Sequence, residues 1–119
     1  PYLQYLKVLQ VSAVHAYLTY PFVLSWSLLE AMAAGCCVVG SRTPPVEEAI
    51  RDGENGLLTD FFDADALAQR LADVLHGRID AAPLRSAARA TVIDRYDLKR
   101  HCLPAGLALL DRVARRPAS

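Results

Sequence analysis

Tyr17-Leu18-Thr19-Tyr20-Pro21-Phe22-Val23-Leu24-Ser25-Trp26-Ser27-Leu28-Leu29-Glu30-Ala31-Met32-Ala33-Ala34-Gly35 is the stretch from which the fold is read. Its first residues close an apolar run, Ala13 to Thr19, rich in β-formers and read as a strand. Pro21 ends that strand, because proline cannot donate to a ladder. Residues 25–34 read as a helix, and Gly35 stands where a left-handed residue stops one. Cys36-Cys37-Val38-Val39-Gly40 follows at once, a short apolar run of the kind buried on both faces of a sheet. Strand, helix, strand in this order predicts a crossover between parallel strands.

The pattern extends both ways. Tyr2, Leu3, Leu6 and Leu9 lie at helical spacing ahead of the first strand. After the second strand, Ser41 to Pro45 reads as a loop and Val46 to Arg51 as a short helix that tolerates Pro44 and Pro45 at its start. Asp52-Gly53 and Asn55-Gly56 are turn signals before a third strand, Leu57-Leu58-Thr59. Asp63 is placed to cap the next helix, with Leu67, Leu71, Val74 and Leu75 on one face. A further helix is expected over 84–95. A last one runs from Asp97 to Ala114, with a break at Pro104, before a frayed tail over 115–119. The fold expected is α/β: a Rossmann-like parallel sheet of about three strands flanked by helices. It forms a single domain over 1–119, with C-terminal helices from about 84 to 114.

Composition narrows the function. Lys plus Arg and Asp plus Glu both number 13, so the chain lacks the basic excess of a nucleic-acid binder. A hydrophobic share of 53% argues against disorder. No apolar run approaches the roughly 20 residues of a membrane span. The start, Pro1-Tyr2-Leu3-Gln4, shows no basic n-region and no initiator Met, as expected for a piece of a longer chain. Three cysteines cannot close a disulfide set, which suggests a reducing, cytoplasmic setting. Cys36 and Cys37 read as small buried residues, since adjacent cysteines have the wrong spacing for zinc. No metal or cofactor is expected: Asp52/Glu54 and Asp60/Asp63/Asp65 read as turn and cap acids without a ligand template. His15 reads as structural and Arg42 as a surface arginine.

The chemistry is concentrated at the start of the Ser25 helix. Helix starts expose unpaired N–H groups and a positive dipole end, which suits a phosphate. In open parallel sheets, ligands bind beyond the carboxyl ends of the strands. Ser25 and Ser27 can add hydroxyl donors, and Glu30 lies one turn further in, where a carboxylate accepts from a vicinal diol such as ribose. A diphosphate beside a diol reader describes a nucleotide sugar. Against this, Ser27-Leu28-Leu29-Glu30 also fits a capping box, with Glu30 reaching back to the cap. Trp26 also reads as a simple hydrophobic anchor, and Leu28, Leu29 and Met32 as core.

The block resembles the conserved segment of retaining glycosyltransferases with two facing Rossmann-like domains, the GT-B architecture. The resemblance is to the group 1 glycosyl transferases, which include sucrose and glycogen synthases and many bacterial polysaccharide enzymes. It covers roughly Tyr2 to His76 and is densest from Thr19 to Leu58. Glu30-Ala31-Met32-Ala33-Ala34-Gly35, Val38-Val39, Glu48 and Asp52-Gly53-Glu54-Asn55-Gly56 fall in the family's order. The resemblance implies that Glu30 matches the second Glu of a Glu-x7-Glu pair and contacts the donor ribose. It places Ser25 and Trp26 where backbone amides face the donor diphosphate. The first Glu, near the transferred sugar, falls at Phe22, so sugar handling differs here or that role is absent. Pro44 and Pro45 stand where the family often has a Gly-Gly loop. The family's architecture does not require a metal held by an Asp-x-Asp motif.

The resemblance also implies what lies elsewhere. The family's base-reading segment, its basic phosphate clamp and its acceptor-binding N-terminal domain are not in this chain. The partner expected is a UDP- or GDP-sugar donor, and the piece alone is expected to be inactive. Exposed edges would favour self-association. The alternative is a non-catalytic Rossmann-like module for nucleotide binding or protein interaction. A response-regulator-like domain is disfavoured, for want of an acidic pair at an early strand end.

Overall fold

The structure, a computed structural model, describes residues 1–20 and 24–116. The elements run α1 (Tyr2–Val11), β1 (His15–Tyr17), α2 (Trp26–Ala33), β2 (Val38–Ser41), α3 (Pro44–Ala49), β3 (Leu57–Thr59), α4 (Ala64–Leu75) and α5 (Ala81–Tyr96). A π-helical turn (Leu98–Cys102) then leads into α6 (Leu103–Ala114). The three strands pair in parallel in the order β1-β2-β3. His15 sits opposite Val38, and Gly40 opposite both Tyr17 and Leu58. The α/β reading with a three-stranded parallel sheet therefore holds.

Alternation along the central strand explains the layers. Cys36 and Val38 pack into a core with Leu28, Met32, Val46, Ile50 and Ala88, drawn from α2, the α3 segment and α5. Cys37 and Val39 point the other way, against Leu57, Val74 and Leu84, with Leu67 and Leu71 of α4 packed alongside. The apolar run over 36–40 is thus buried on both faces, as its sequence implied, while the strand itself is shifted to Val38–Ser41. Both cysteines are buried, and the Cys36 thiol donates to the Leu9 carbonyl at 3.0 Å. Burial pushes both thiols above their ordinary pKa.

Local chemistry sets the ends. Gly35 has φ +80°, and α2 closes with the Gly35 amide on the Met32 carbonyl and the Cys36 amide on the Ala31 carbonyl. This paired ending admits a left-handed residue without a Cβ penalty. Gly56 is required for space: a Cβ there would lie 3.0 Å from Ile50 Cγ2 and 3.3 Å from the Val38 carbonyl oxygen. Asp63 and Asp80 cap α4 and α5 through the Ala66 and Ala82 amides.

Several boundaries move. Strand β1 is shorter than Ala13–Thr19, because the carbonyls of Ser12 and Ala13 are taken by Arg85 and Thr19 is held by Ser41. Pro44 and Pro45 form the first turn of α3, so the helix starts two residues before Val46 and ends before Arg51. Leu75, expected on the buried face of α4, is exposed. The break expected at Pro104 comes earlier: Asp97 accepts from the amides of Lys99 and Arg100 at 3.0 and 2.9 Å, opening the π-turn, and Pro104 falls in the first turn of α6. That helix buries no residue, and Leu103, Leu107, Leu109, Leu110 and Val113 are all exposed. No described helix is long and apolar enough to cross a membrane.

Candidate functional site

Helix α2 begins where the carboxyl end of β1 hands over to it. Ser25 is its N-cap: the backbone is extended, and its Oγ accepts from the Ser27 amide at 3.3 Å. The Ser25 and Ser27 hydroxyls lie 3.0 Å apart. Ser25 is itself held, its amide donating to the Tyr17 hydroxyl at 2.9 Å. Tyr17 is buried at the end of β1, so a core side chain fixes the entry to α2. The Leu28 amide turns back to the Ser25 carbonyl at 3.2 Å. The Trp26 amide finds no acceptor among the described residues. Of the two amides expected to face a diphosphate, Trp26's is the one without a described acceptor, while Ser25's is engaged.

This geometry removes one of the two readings of Glu30. With Ser25 as N-cap, Leu28 and not Glu30 occupies the third helical position, so the Ser27–Glu30 capping box does not form. Glu30 is half-buried one turn along the helix, with no capping duty. The Tyr5 phenol of α1 lies beside it. Burial, and then the negative charge of Glu30, raise the Tyr5 pKa, so the phenol stays protonated next to the carboxylate. Trp26 is 80% exposed and anchors no core. Phe22 lies outside the described residues.

The rest of the carboxyl edge follows from the strand exits. The Ser41 hydroxyl, wholly buried at the end of β2, meets both the amide and the carbonyl of Thr19 at 3.4 Å and ties the two exits together. Arg42 is a surface arginine, turned to Glu47 (3.5 Å) and Asp52 (3.2 Å), with Arg70 also near Asp52. Thr43 precedes α3, but the next two residues are prolines without N–H groups, and the Val46 amide goes to the Thr43 carbonyl. Its hydroxyl therefore has nothing to cap. The buried hydroxyls of Thr43 and Thr59 both lack partners. Such an orphan ordinarily costs about 1–3 kcal/mol.

Around them stand aromatic rings that sequence reasoning did not single out. Tyr20 lies 5.3 Å from Phe61, and Phe61 meets Phe62 edge-on at 4.9 Å, centroid to centroid. The signal for them was two adjacent phenylalanines placed in a turn, directly after a strand end. The acids around them are turn and cap acids as read, Asp60 accepting from the Phe62 amide at 3.3 Å. Among the described residues, no group of three or more His, Cys, Asp or Glu side chains is placed to hold a metal ion.

Comparison with known proteins gives the site its context. The family model described as glycosyl transferases group 1 matches residues 12–91, which include the whole sheet and α2. The amylovoran biosynthesis glycosyltransferase AmsK of Erwinia amylovora is 38% identical over 71 residues, covering 60% of this chain and 17% of AmsK. Among solved structures, Anabaena Alr3699/HepE in complex with UDP superposes with a TM-score of 0.79 at 23% identity, over 88% of this chain and 29% of HepE. Sucrose-phosphate synthase from Thermosynechococcus elongatus gives 0.82 at 25%, over 95% and 29%. The chain thus spans less than a third of each relative. Its sheet and helices are those of GT-B glycosyltransferases, and the chain belongs to the glycosyl transferases group 1 family.

Proposed function

We propose that this chain is the C-terminal part of the donor-binding domain of a retaining glycosyltransferase, and that it takes the diphosphate and ribose of a UDP- or GDP-sugar. The observation that carries this reading is Glu30: released from capping and half-exposed, it lies one turn beyond a helix start at the carboxyl edge of a parallel sheet. The Trp26 amide and the positive end of α2 would hold the diphosphate, with the Ser25 and Ser27 hydroxyls beside it. The Glu30 carboxylate would accept from the ribose hydroxyls. Chemistry would rest on stabilising the departing diphosphate. That requires more donors than one helix start, so the chain alone binds donor weakly and transfers nothing. The family comparison supports the class, and the UDP complex of HepE is consistent with the donor type.

The test is Glu30→Gln in the full-length protein. The donor KM should rise about tenfold or more, the usual worth of charge-assisted hydrogen bonds, with an unchanged melting temperature. An unchanged KM would sink the ribose role.

The second reading, a non-catalytic module, draws on Phe22 in place of the first Glu and on the Ser25 amide already being held by Tyr17. A sugar-transfer assay on the full-length protein separates the two: turnover from a sugar nucleotide excludes the module.

A further inference from the structure

Glu30 is less exposed than its place on α2 dictates. The helix buries Leu28, Ala31 and Met32 completely. Glu30 stands two residues from Leu28 and two from Met32, which turns it to the opposite face. Trp26 lies on that outward face one turn earlier and is 80% exposed. Glu30 is nevertheless half-buried. The outward face of α2 is open at its first turn and partly covered at its second.

Helix α1 is placed to supply that cover. Its one buried residue, Leu9, accepts the Cys36 thiol on its carbonyl at 3.0 Å, which pins the end of the helix to the entry of β2. Tyr5 lies four residues before Leu9, on the same face of α1. It is half-buried and packs against the core cluster that holds Leu28 and Met32 of α2. The Tyr2 ring stands 6.2 Å from the Tyr5 ring and adds a contact within α1. The Tyr5 phenol lies beside the Glu30 carboxylate, and it stays protonated there, so it enters the pair as the donor.

We infer that Tyr5 is a positioning residue: its phenol donates to one oxygen of the Glu30 carboxylate and holds the group in place for the donor ribose. The inference rests on the ribose reading of Glu30. A carboxylate offers about four acceptor sites, so one phenol bond leaves room for two ribose hydroxyls. A glutamate side chain turns about several torsions, and fixing it before the ligand arrives removes part of the ordering cost of binding. The rival arrangement is a phenol that occupies the place of the ribose. It predicts the opposite sign, because removing the hydroxyl would then tighten binding.

The experiment measures UDP and GDP binding to the full-length protein by titration calorimetry, in the parent, Tyr5→Phe, Glu30→Gln and the double variant. Tyr5→Phe keeps the ring and its packing and removes only the hydroxyl, so it should melt at the parent's temperature. It should weaken the nucleotide that binds the parent about three- to tenfold. In the Glu30→Gln background the same change should cost less than about twofold, since the two side chains act as one unit. A purely structural role for Tyr5 would weaken binding equally in both backgrounds. That result overturns the inference, as does unchanged or tighter binding by Tyr5→Phe alone. If Tyr5→Phe melts lower than the parent, the comparison of the two backgrounds still decides. The two failures are distinguishable. Parent-like binding by Glu30→Gln, or no binding of either nucleotide by the parent, removes the ribose reading and the inference with it. Weakening by Glu30→Gln without weakening by Tyr5→Phe removes the positioning role alone.

Discussion

The two edges of the sheet are built to opposite ends. At the amino edge, polar groups are paired by long side chains from α5. Arg85 donates to the carbonyls of Ser12 and Ala13, Arg89 to that of Ala33, and Arg95 to that of Glu48. These carbonyls lie at or just past the ends of α1, α2 and α3, where helices leave acceptors unpaired and where the dipole favours a cation. Asn55 completes the edge: its side chain accepts from the Arg51 amide and donates to the Ala49 carbonyl and the Thr91 hydroxyl. The carboxyl edge has fewer such pairings: two buried threonine hydroxyls lack partners and aromatic rings stand open, against the Arg85 Nε alone at the amino edge among the described residues. One edge is laced by side-chain hydrogen bonds to backbone carbonyls, and the other leaves two buried threonine hydroxyls without partners.

The contrast predicts that polar truncations destabilise at one edge and not at the other. The largest effect should come from Asn55→Ala. Asn55 is buried, and its removal orphans the Arg51 amide and the Ala49 carbonyl together. A loss of about 3 kcal/mol in urea unfolding is expected from two stranded backbone groups. A loss below about 1 kcal/mol would mean that water replaces the side chain and that the edge is less closed than described. Arg89→Ala should cost less, about 1 kcal/mol, because its 2.7 Å bond to Ala33 is exposed. Arg89→Lys should recover part of that, since the positive charge remains near the end of α2.

At the carboxyl edge the sign should change. Thr59→Val keeps the shape and removes a hydroxyl that has no partner. The variant should be as stable as the parent or gain up to about 1 kcal/mol. Destabilisation would reveal a hidden partner and erase the contrast between the edges.

The amino-edge arrangement was the less legible half of the molecule. The apolar run at residues 36–40, the Gly35 stop and the Asp63 cap are local signals, and each was read correctly because neighbours in sequence produce it. The arginines of α5 were visible only as composition. Their acceptors lie 47 to 73 residues away, and no local pattern encodes such pairs. The same limit applied to Glu30, where spacing fitted both a capping box and a ligand contact. What excluded the capping box was the position of the cap at Ser25, held by the buried Tyr17 hydroxyl. Thr43 was hidden for a related reason: its orphaned hydroxyl follows from two prolines that were read as loop and not as the first turn of a helix.

The smallest predicted effect tests whether the amino edge is closed to protons as well as to water. His15 opens β1, its amide bonded to the Cys37 carbonyl at 2.8 Å, and burial lowers its imidazole pKa. The folded chain therefore binds a proton there less readily than the unfolded chain, and stability from this group rises with pH. The contribution is complete above the unfolded pKa, about 6.5. It is lost as pH falls through that value and the folded one, and levels off below both. The Asp73 and Asp97 carboxylates are held below their ordinary pKa, chiefly by hydrogen bonds from Arg78 and from the Arg100 amide. They protonate only at lower pH, which leaves the histidine window separate. Unfolding free energy measured from pH 8 to pH 5 should decline in the parent and decline less in His15→Asn. Equal slopes would show that the imidazole meets solvent as freely in the fold as outside it, and would open the amino edge at the start of β1.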